Sequence, residues 1–481
     1  MKATSSSQKN RIVNELIKDL SEENLAIFAG AGLSAPAGFV SWKELLKPIA
    51  EELELDVERE DDLVALAQYH CNSNLANRGK LNQLLINELS DEAKSTENHR
   101  ILARLPISTY WTTNYDKLLE SSLSKIGKVP DTKFRNKQLS FTKRGRDAVI
   151  YKMHGDIDHP DEAILTKDDY ETYHVKMQPF INALSGDLVS KTFLFLGFSF
   201  TDPNLDYILS RVRIAYSTDQ RQHYCIQKIV SPLPDEDAAD TEYRTRKQEL
   251  FIQDLLRFGI KTILVDDYSE ITDFLSQLEW AYRRRTIFLS GAAHEYGRWS
   301  NEGAEHFIYS LAKDIASKNF RIVSGFGLGV GSSVITGVLE YIYMNGGRLD
   351  SDQLILRPFP QNEIGSRKIT EVWNDYRMDM ISFSGIAVFI FGNKLEEGKV
   401  VNSDGLIKEF EIAKAQGLLL LPIGATGYAA AQIFESLQSE GYFDSEMFPG
   451  DAQTHLAELN NDKASLDSLK ESLLKLLDSL T

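Results

Sequence analysis

Two stretches place several glycines between an apolar run and an amphipathic one. "IFAGAGLSAPAGFVSW" (27–42) carries Gly30 and Gly32. "RIVSGFGLGVGSSVITGVLEYIYMN" (321–345) carries Gly325, Gly327, Gly329 and Gly331, with Ser332 and Ser333 directly after them. A strand that hands over to a helix through residues without side chains leaves room for an anion. Glycine permits backbone angles closed to other residues, and the first amides of a helix favour negative charge. Both stretches therefore read as phosphate cradles. Three more polar loops follow apolar runs: "TTNYD" (112–116), "HGD" (154–156) and "GFSFTDPNL" (197–205). They bring an amide, carboxylates and, in His154, a side chain that exchanges a proton near neutral pH.

The elements that must position these loops alternate along the chain. "IVNELIKDL" (12–20) has helical spacing, and "LAIFAG" is a short buried strand bounded by glycine. "SWKELLKPIAEEL" is an amphipathic helix, with further helices at 61–71 and 80–89. "STYWTTNYD" and "DAVIYKMHGD" read as strands with polar ends, the first followed by the helix "KLLESSLSK". "KTFLFLGFSFTDPNLDYILSRV" reads as strand, loop and helix, with Asp202 and Pro203 as start signals. "HYCIQKIV" and "IKTILV" complete the series. The strands are continuously apolar, which predicts a parallel sheet covered on both faces. Ligands of such sheets sit beyond the carboxyl ends of the strands, where four of the loops should gather.

The helix "SEITDFLSQLEWAYRRR" closes this unit, and "TIFLSG" opens a second strand series: "NFRIVSG", "QLILRPFP", "GIAVFIFGN" and "GLLLLPIG". The fold class is thus α/β with two Rossmann-like domains, 1–283 and 284–481. The final "ASLDSLKESLLKLLDSL" reads as an amphipathic helix docked on a core.

Bulk properties narrow the function. The chain has 481 residues, too many for one ordinary core. Its formal net charge of -17 argues against nucleic acid as a broad-surface partner. No apolar run is long enough to span a membrane, and the polar start does not read as a secretory signal. Two cysteines, Cys71 and Cys225, exclude a disulfide scaffold and a four-cysteine zinc site. They read as buried inert thiols in a reducing cytoplasm. No metal-ligand cluster stands out among the 9 histidines.

The four loops of the first half, in this order, resemble the sirtuin family over roughly 25–205. The resemblance implies that Ala29, Gly30, Ala31, Gly32 and Ser34 line the NAD phosphates and that Gly197 and Ser199 lie on the adenosine side. It implies that Asn114 holds the ribose or an attacking water, that Asp116 faces the nicotinamide amide, and that His154 is the general base. Asp116 also reads as a helix N-cap, and the two roles are compatible. The chain departs from protein-deacylating sirtuins. It lacks the paired zinc cysteines, Thr113 replaces the usual Gln, and "GFVSW" replaces the usual segment after the glycine loop. The elements that hold NAD persist while those that frame an acyl-lysine peptide do not, so water becomes the nucleophile.

The second half resembles the SLOG family. The pairing is similar to the NAD-hydrolysing effector family of Thoeris anti-phage defence. That resemblance implies an NAD+ glycohydrolase, a homotetramer or larger assembly. Its activator is a cyclic ADP-ribose isomer made by a TIR-domain partner. It implies a signal site of Gly291, the glycine loop 325–331 with Ser332, Arg377, Lys394 and Glu409. Arg377 and Lys394 suit phosphates, and Glu409 suits ribose hydroxyls. Two other readings remain: an NAD-dependent protein deacylase, and a non-catalytic sensor of NAD or ADP-ribose.

Overall fold

Leu25–Ala29 (β1) is apolar and buried at all five positions. A strand without a polar face must be covered on both sides. In the computed structural model β1 is accordingly the middle strand of seven. The others are β2 (Thr109–Thr112), β3 (Pro130–Lys133), β4 (Ala148–Lys152), β5 (Thr192–Leu196), β6 (His223–Lys228) and β7 (Ile260–Val265). Their order is β3-β4-β2-β1-β5-β6-β7, and every pairing is parallel. The structure describes residues 2–39, 41–60, 62–89, 93–216, 219–234, 236–348, 353–360, 368–445, 447–448 and 450–480. It divides into two units, 1–279 and 280–481.

The register explains why the loops gather. Ala29 pairs with Thr112 on one side and Leu196 on the other, and Thr112 pairs with Lys152. These four residues form one row across four neighbouring strands. The loops carrying Gly30, Asn114, His154 and Gly197 all leave from that row. Chain order reverses at β1, with β2 on one side and β5 on the other, which opens the crevice where such sheets place ligands.

Elements that the hydrophobic pattern left unread are the polar ones. β3, "PDTK", is an edge strand with one neighbour, and it buries Asp131 against Lys133 at 2.9 Å in place of an apolar pair. The helix Ala238–Leu256 buries only Leu255. Cys71 and Cys225 are both buried; burial pushes the Cys225 thiol up to about 12 and raises that of Cys71, so neither ionises readily.

The second unit repeats the logic with five parallel strands. They are β8 (Thr286–Ala292), β9 (Arg321–Ser324), β10 (Leu354–Leu356), β11 (Ile386–Phe391) and β14 (Leu419–Pro422), in the order β10-β9-β8-β11-β14. Again the first strand is central, flanked by β9 and β11, and again the switch point falls at its carboxyl end. An antiparallel hairpin of β12 (Asn393–Glu396) and β13 (Lys399–Asn402) follows β11; the sequence pattern gave no warning of it. The closing helix Leu466–Leu480 buries Leu469, Leu473, Leu476, Leu477 and Leu480 in this unit's core. Each is worth about 1.5–3 kcal/mol, so the helix is part of the fold. Among the described residues no helix is long and apolar enough to cross a membrane.

Two loops of the first unit touch backbone to backbone. A methyl group on Gly30 would lie 2.4 Å from the Gly197 carbonyl oxygen, and one on Gly197 would lie 2.1 Å from the Leu33 nitrogen. Gly197 also has φ +61. Gly145 has a similar φ of +68, but a methyl there meets nothing within 4 Å. Gly145→Ala should therefore cost only the left-handed strain, about 1–2 kcal/mol. Gly197→Ala should cost clearly more, because two backbones must separate as well. Thermal unfolding of the two variants decides the point: equal losses would show that the loop-to-loop approach imposes no constraint.

Candidate functional site

Thr112, the last residue of β2, fixes the next loop against β1. Its Oγ1 donates to the Ala29 carbonyl at 2.9 Å and accepts from the Asn114 amide at 2.9 Å. Asn114 then turns Nδ2 towards the glycine loop, donating to the Gly30 carbonyl and to Ser34 Oγ, each at 3.0 Å. Asn114 is thus joined directly to Gly30 and Ser34, and to Ala29 through Thr112. The amides of Gly30 and Gly32 donate at 2.9 Å to the Leu196 and Gly197 carbonyls. In this loop the glycines serve the close approach to Gly197 as much as any opening for a ligand. Ala31 and Ser199 lie exposed at the rim, Ser199 sharing a hydrogen bond with Thr201 at 2.7 Å.

Asp116 is buried, and its Oδ1 accepts from the Leu118 amide at 2.9 Å just before the helix Leu118–Lys125. The N-cap position itself is Lys117, so Asp116 sits one residue before the cap and its bond closes the turn that leads into the helix. Close by is His99, fully buried and bonded through Nδ1 to Thr96 Oγ1 at 2.8 Å. Burial lowers the His99 imidazole to about 4, against the pull of the Asp116 charge.

A lysine that the sequence reading passed over holds the centre together. Lys152 ends β4 with no solvent exposure. Its ammonium donates to the Tyr115 carbonyl at 2.9 Å, the Asp116 carbonyl at 2.6 Å and Asp156 Oδ2 at 2.6 Å. An ammonium has three hydrogens, and all three are engaged. One cation thereby clamps the loop after Asn114 to the loop after His154. Glu120 lies 3.4 Å away; burial raises its carboxyl in spite of that cation.

His154 is buried, and its carbonyl accepts from Ile164 at 2.9 Å. The edge of Tyr170 packs against the ring at 5.4 Å, and Tyr115 lies at 6.5 Å. Ring Nε2 is 3.0 Å from Asp202 Oδ2. Asp202 was legible only as a helix start; it does accept from the Leu205 amide at 2.9 Å, and its second oxygen faces the histidine. Burial would raise this carboxyl, but His154 and two backbone amides outweigh it and hold it below the usual range. In the same loop Phe200 adopts φ +60, an uncommon conformation for a bulky residue. Among the described residues no group of three or more His, Cys, Asp or Glu is placed to hold a metal.

In the second unit a cavity of about 260 Å³ opens at the end of β8. Its walls include Ser290, Gly291, Ser324, Gly325, Gly327, Arg377 and Glu409. Gly327 is required here, since a methyl would lie 1.9 Å from the Gly291 carbonyl oxygen. Glu409 accepts from Ser290 Oγ at 2.6 Å and lies 3.5 Å from Arg377 Nε. Burial raises its carboxyl, opposed by Ser290 and Arg377. The Arg377 guanidinium stacks over Phe359 at 4.7 Å.

The other residues expected at this site stand apart from those walls. Lys394 is on the β12–β13 hairpin, paired with Asp404 at 2.8 Å and Glu396 at 3.4 Å. Gly329 turns its carbonyl to the Tyr296 hydroxyl at 2.7 Å, and Gly331 starts the helix Gly331–Met344. Ser332 lines a separate groove with Glu302, Glu305 and His306. Ser290 and Phe359 had no sequence signature: a serine inside a strand and an aromatic after one are ordinary until the fold places them.

Residues 108–252 match the family model of the SIR2-like domain, and residues 270–480 match that of the Sir2- and TIR-associating SLOG family. Fold, loops and matches together define a protein with a SIR2-like unit followed by a SLOG unit. The chain is 54% identical over 472 residues to NAD(+) hydrolase ThsA of Bacillus cereus (strain MSX-D12), covering 98% of each. It is 48% identical over 435 residues to NAD(+) hydrolase ThsA of Acinetobacter baumannii (strain 532279), covering 89% of this chain and 90% of that one. Over 240 residues it is 25% identical to Defense-associated sirtuin 2 of Bacillus subtilis, covering 47% of this chain and 23% of that one. The chain belongs to the ThsA family of NAD(+) hydrolases.

The Lys152 clamp makes a stability prediction. Removing one partner of a buried pair costs about 3–5 kcal/mol, whereas replacing both by apolar groups recovers much of the loss. Lys152→Met should lower the urea midpoint of the first unit markedly, and Lys152→Met with Asp156→Leu should regain part of it. An unshifted midpoint in the single variant would remove the clamp from the account.

Proposed function

We propose that residues 1–283 hydrolyse NAD+ to nicotinamide and ADP-ribose, and that residues 284–481 gate this reaction by binding a cyclic ADP-ribose isomer. The observation that carries the catalytic half is the row Ala29, Thr112, Lys152 and Leu196, from which the loops of Gly30, Asn114, His154 and Gly197 depart at the switch point. Membership of the ThsA family supports the substrate.

The chemistry follows from that substrate. Nicotinamide in NAD+ is a cationic leaving group on an anomeric carbon. Breaking the C1′–N bond returns the electron pair to the ring nitrogen and leaves an oxocarbenium-like ribose. Water adds to C1′ and gives its proton to His154 as general base. Both Nδ2 hydrogens of Asn114 point at Gly30 and Ser34. Its Oδ1 is then the atom that accepts from a ribose hydroxyl or from the attacking water. The Gly30–Ser34 loop takes the pyrophosphate, Gly197 and Ser199 the adenosine side, and Asp116 the nicotinamide amide. No step calls for a metal. A deacylase reading has less support, because Cys71 and Cys225 are single buried thiols and supply no zinc ribbon.

In the second unit Arg377 would neutralise a phosphate, Glu409 would accept from a ribose hydroxyl, and Lys394 would leave Asp404 to join them. The signal must bind one arrangement of the protein better than another to shift its activity. A homotetramer or larger assembly is the proposed platform. The signal would come from a TIR-domain enzyme during infection, and cytoplasmic NAD+ depletion would stop phage replication with the cell.

Two experiments test this reading. In the presence of cyclic ADP-ribose isomers the wild-type chain should release nicotinamide, and Asn114→Ala and His154→Ala should each lose about 10²-fold or more of that rate. Wild-type rates in both folded variants would overturn the assignment, and nicotinamide appearing only with deacylated peptide would favour the alternative. Hydrogen bonds to charged groups contribute about 1.5–3 kcal/mol. Arg377→Ala should therefore raise the half-activating signal concentration by about 10- to 100-fold. A titration of activity against signal reads this directly, and an unmoved midpoint would place the signal elsewhere.

A further inference from the structure

We propose that Asp202 is a positioning residue for His154: its carboxylate holds ring Nε2, leaving Nδ1 as the nitrogen that exchanges the proton. The inference rests on the reading of the chain as an NAD+ hydrolase and adds a residue to that reaction. His154 follows β4 and Asp202 follows β5, two strands that β2 and β1 separate. The 3.0 Å approach of Nε2 to Oδ2 thus spans the crevice from its outer edges, and both side chains are less than a tenth exposed.

The carboxylate is itself fixed. The Leu205 and Asn204 amides bond it at the start of the helix Pro203–Tyr216, so it cannot follow the ring if the ring turns. Other groups facing His154 do not compete for this role. Tyr170 and Tyr115 meet the imidazole through ring contacts, edge-type and tilted, and burial raises both phenols so that they stay neutral. Asp169 is engaged elsewhere, its two oxygens each 3.1 Å from Nη1 of Arg78. The contact with Asp202 is an ion-pair approach: among the described residues buried Nε2 meets no acceptor in hydrogen-bond geometry, and the Asp202 carboxylate is the charged group set 3.0 Å from it. A histidine whose one nitrogen is held by a buried carboxylate keeps a single tautomer, and the carboxylate stabilises the imidazolium formed when the other nitrogen takes a proton. In the hydrolysis that proton comes from the water that adds to C1′. It passes to Nδ1 and then to solvent, and Asp202 stays ionised throughout.

Asp202→Asn is the informative variant, because asparagine caps a helix about as well as aspartate while removing the charge. With activator present, kcat should fall about tenfold or more while KM for NAD+ stays within about threefold. The acidic limb of the rate profile should move to lower pH, since an imidazolium without its carboxylate gives up its proton more readily. In a His154→Ala background the same substitution should add no further loss. The ring signals of His154 in 15N-histidine spectra of the intact chain should change in Asp202→Asn, whatever the activity. Normal kcat, an unmoved acidic limb or unchanged ring signals would overturn the role of Asp202 while leaving NAD+ hydrolysis standing. A wild-type chain inert with every cyclic isomer would instead overturn the hydrolase reading, and the spectra would still decide the pairing.

Discussion

One buried ammonium organises the first unit. Lys152 has no contact with water, and an ammonium in that position is tolerable only if every hydrogen meets an acceptor. Two of its acceptors are the carbonyls of Tyr115 and Asp116, and the third is the carboxylate of Asp156. Asn114 sits one residue before that pair of carbonyls, and His154 sits two residues before that carboxylate. The distance between the two proposed catalytic side chains is thus set by a cation that touches neither.

A second constraint is the absence of side chains where loops cross. Gly30 and Gly197 let two loops from neighbouring strands approach backbone to backbone, and Gly327 lets the loop after β9 approach the Gly291 carbonyl on β8. Both units use their first strand as the centre of the sheet and open a crevice at its end. In each, a phenylalanine in the adjoining loop is held at positive φ: Phe200 at +60 and Phe326 at +59. Strain of this kind persists only where surrounding packing over-determines the backbone. It coincides here with the two places where the fold brings polar groups together.

The two crevices differ in electrostatics. The first keeps its charges in pairs: Lys152 with Asp156, His154 with Asp202, Arg78 with Asp169. The second holds Glu409 beneath Arg377 and Ser290, a carboxyl that burial raises and a guanidinium stacked on an aromatic ring. Such a pair presents a forked cation backed by a fixed acceptor, which suits a ligand carrying both phosphate and hydroxyl groups.

The sequence by itself determined the architecture. Continuously apolar runs as short as "LAIFA" and "IAVFIF", bounded by glycine, read as buried strands of covered parallel sheets, and the glycines after them mark the loops. It also determined the family, since the order of "GAGLS", "TTNYD", "HGD" and "GFSFTD" is a long-range signature. Only the tertiary structure decided the partners. Lys152 reads in sequence as an ordinary charged residue, and Asp202 as a helix cap, because a side chain's role depends on strands distant along the chain. The same holds for Lys394 and Ser332, charged and small residues near the right loops: the first is paired with Asp404 beside the cavity and the second lines a separate groove. Periodicity records which face of an element is buried; it carries no information on which two buried polar groups will meet, and that is fixed by strand order and register.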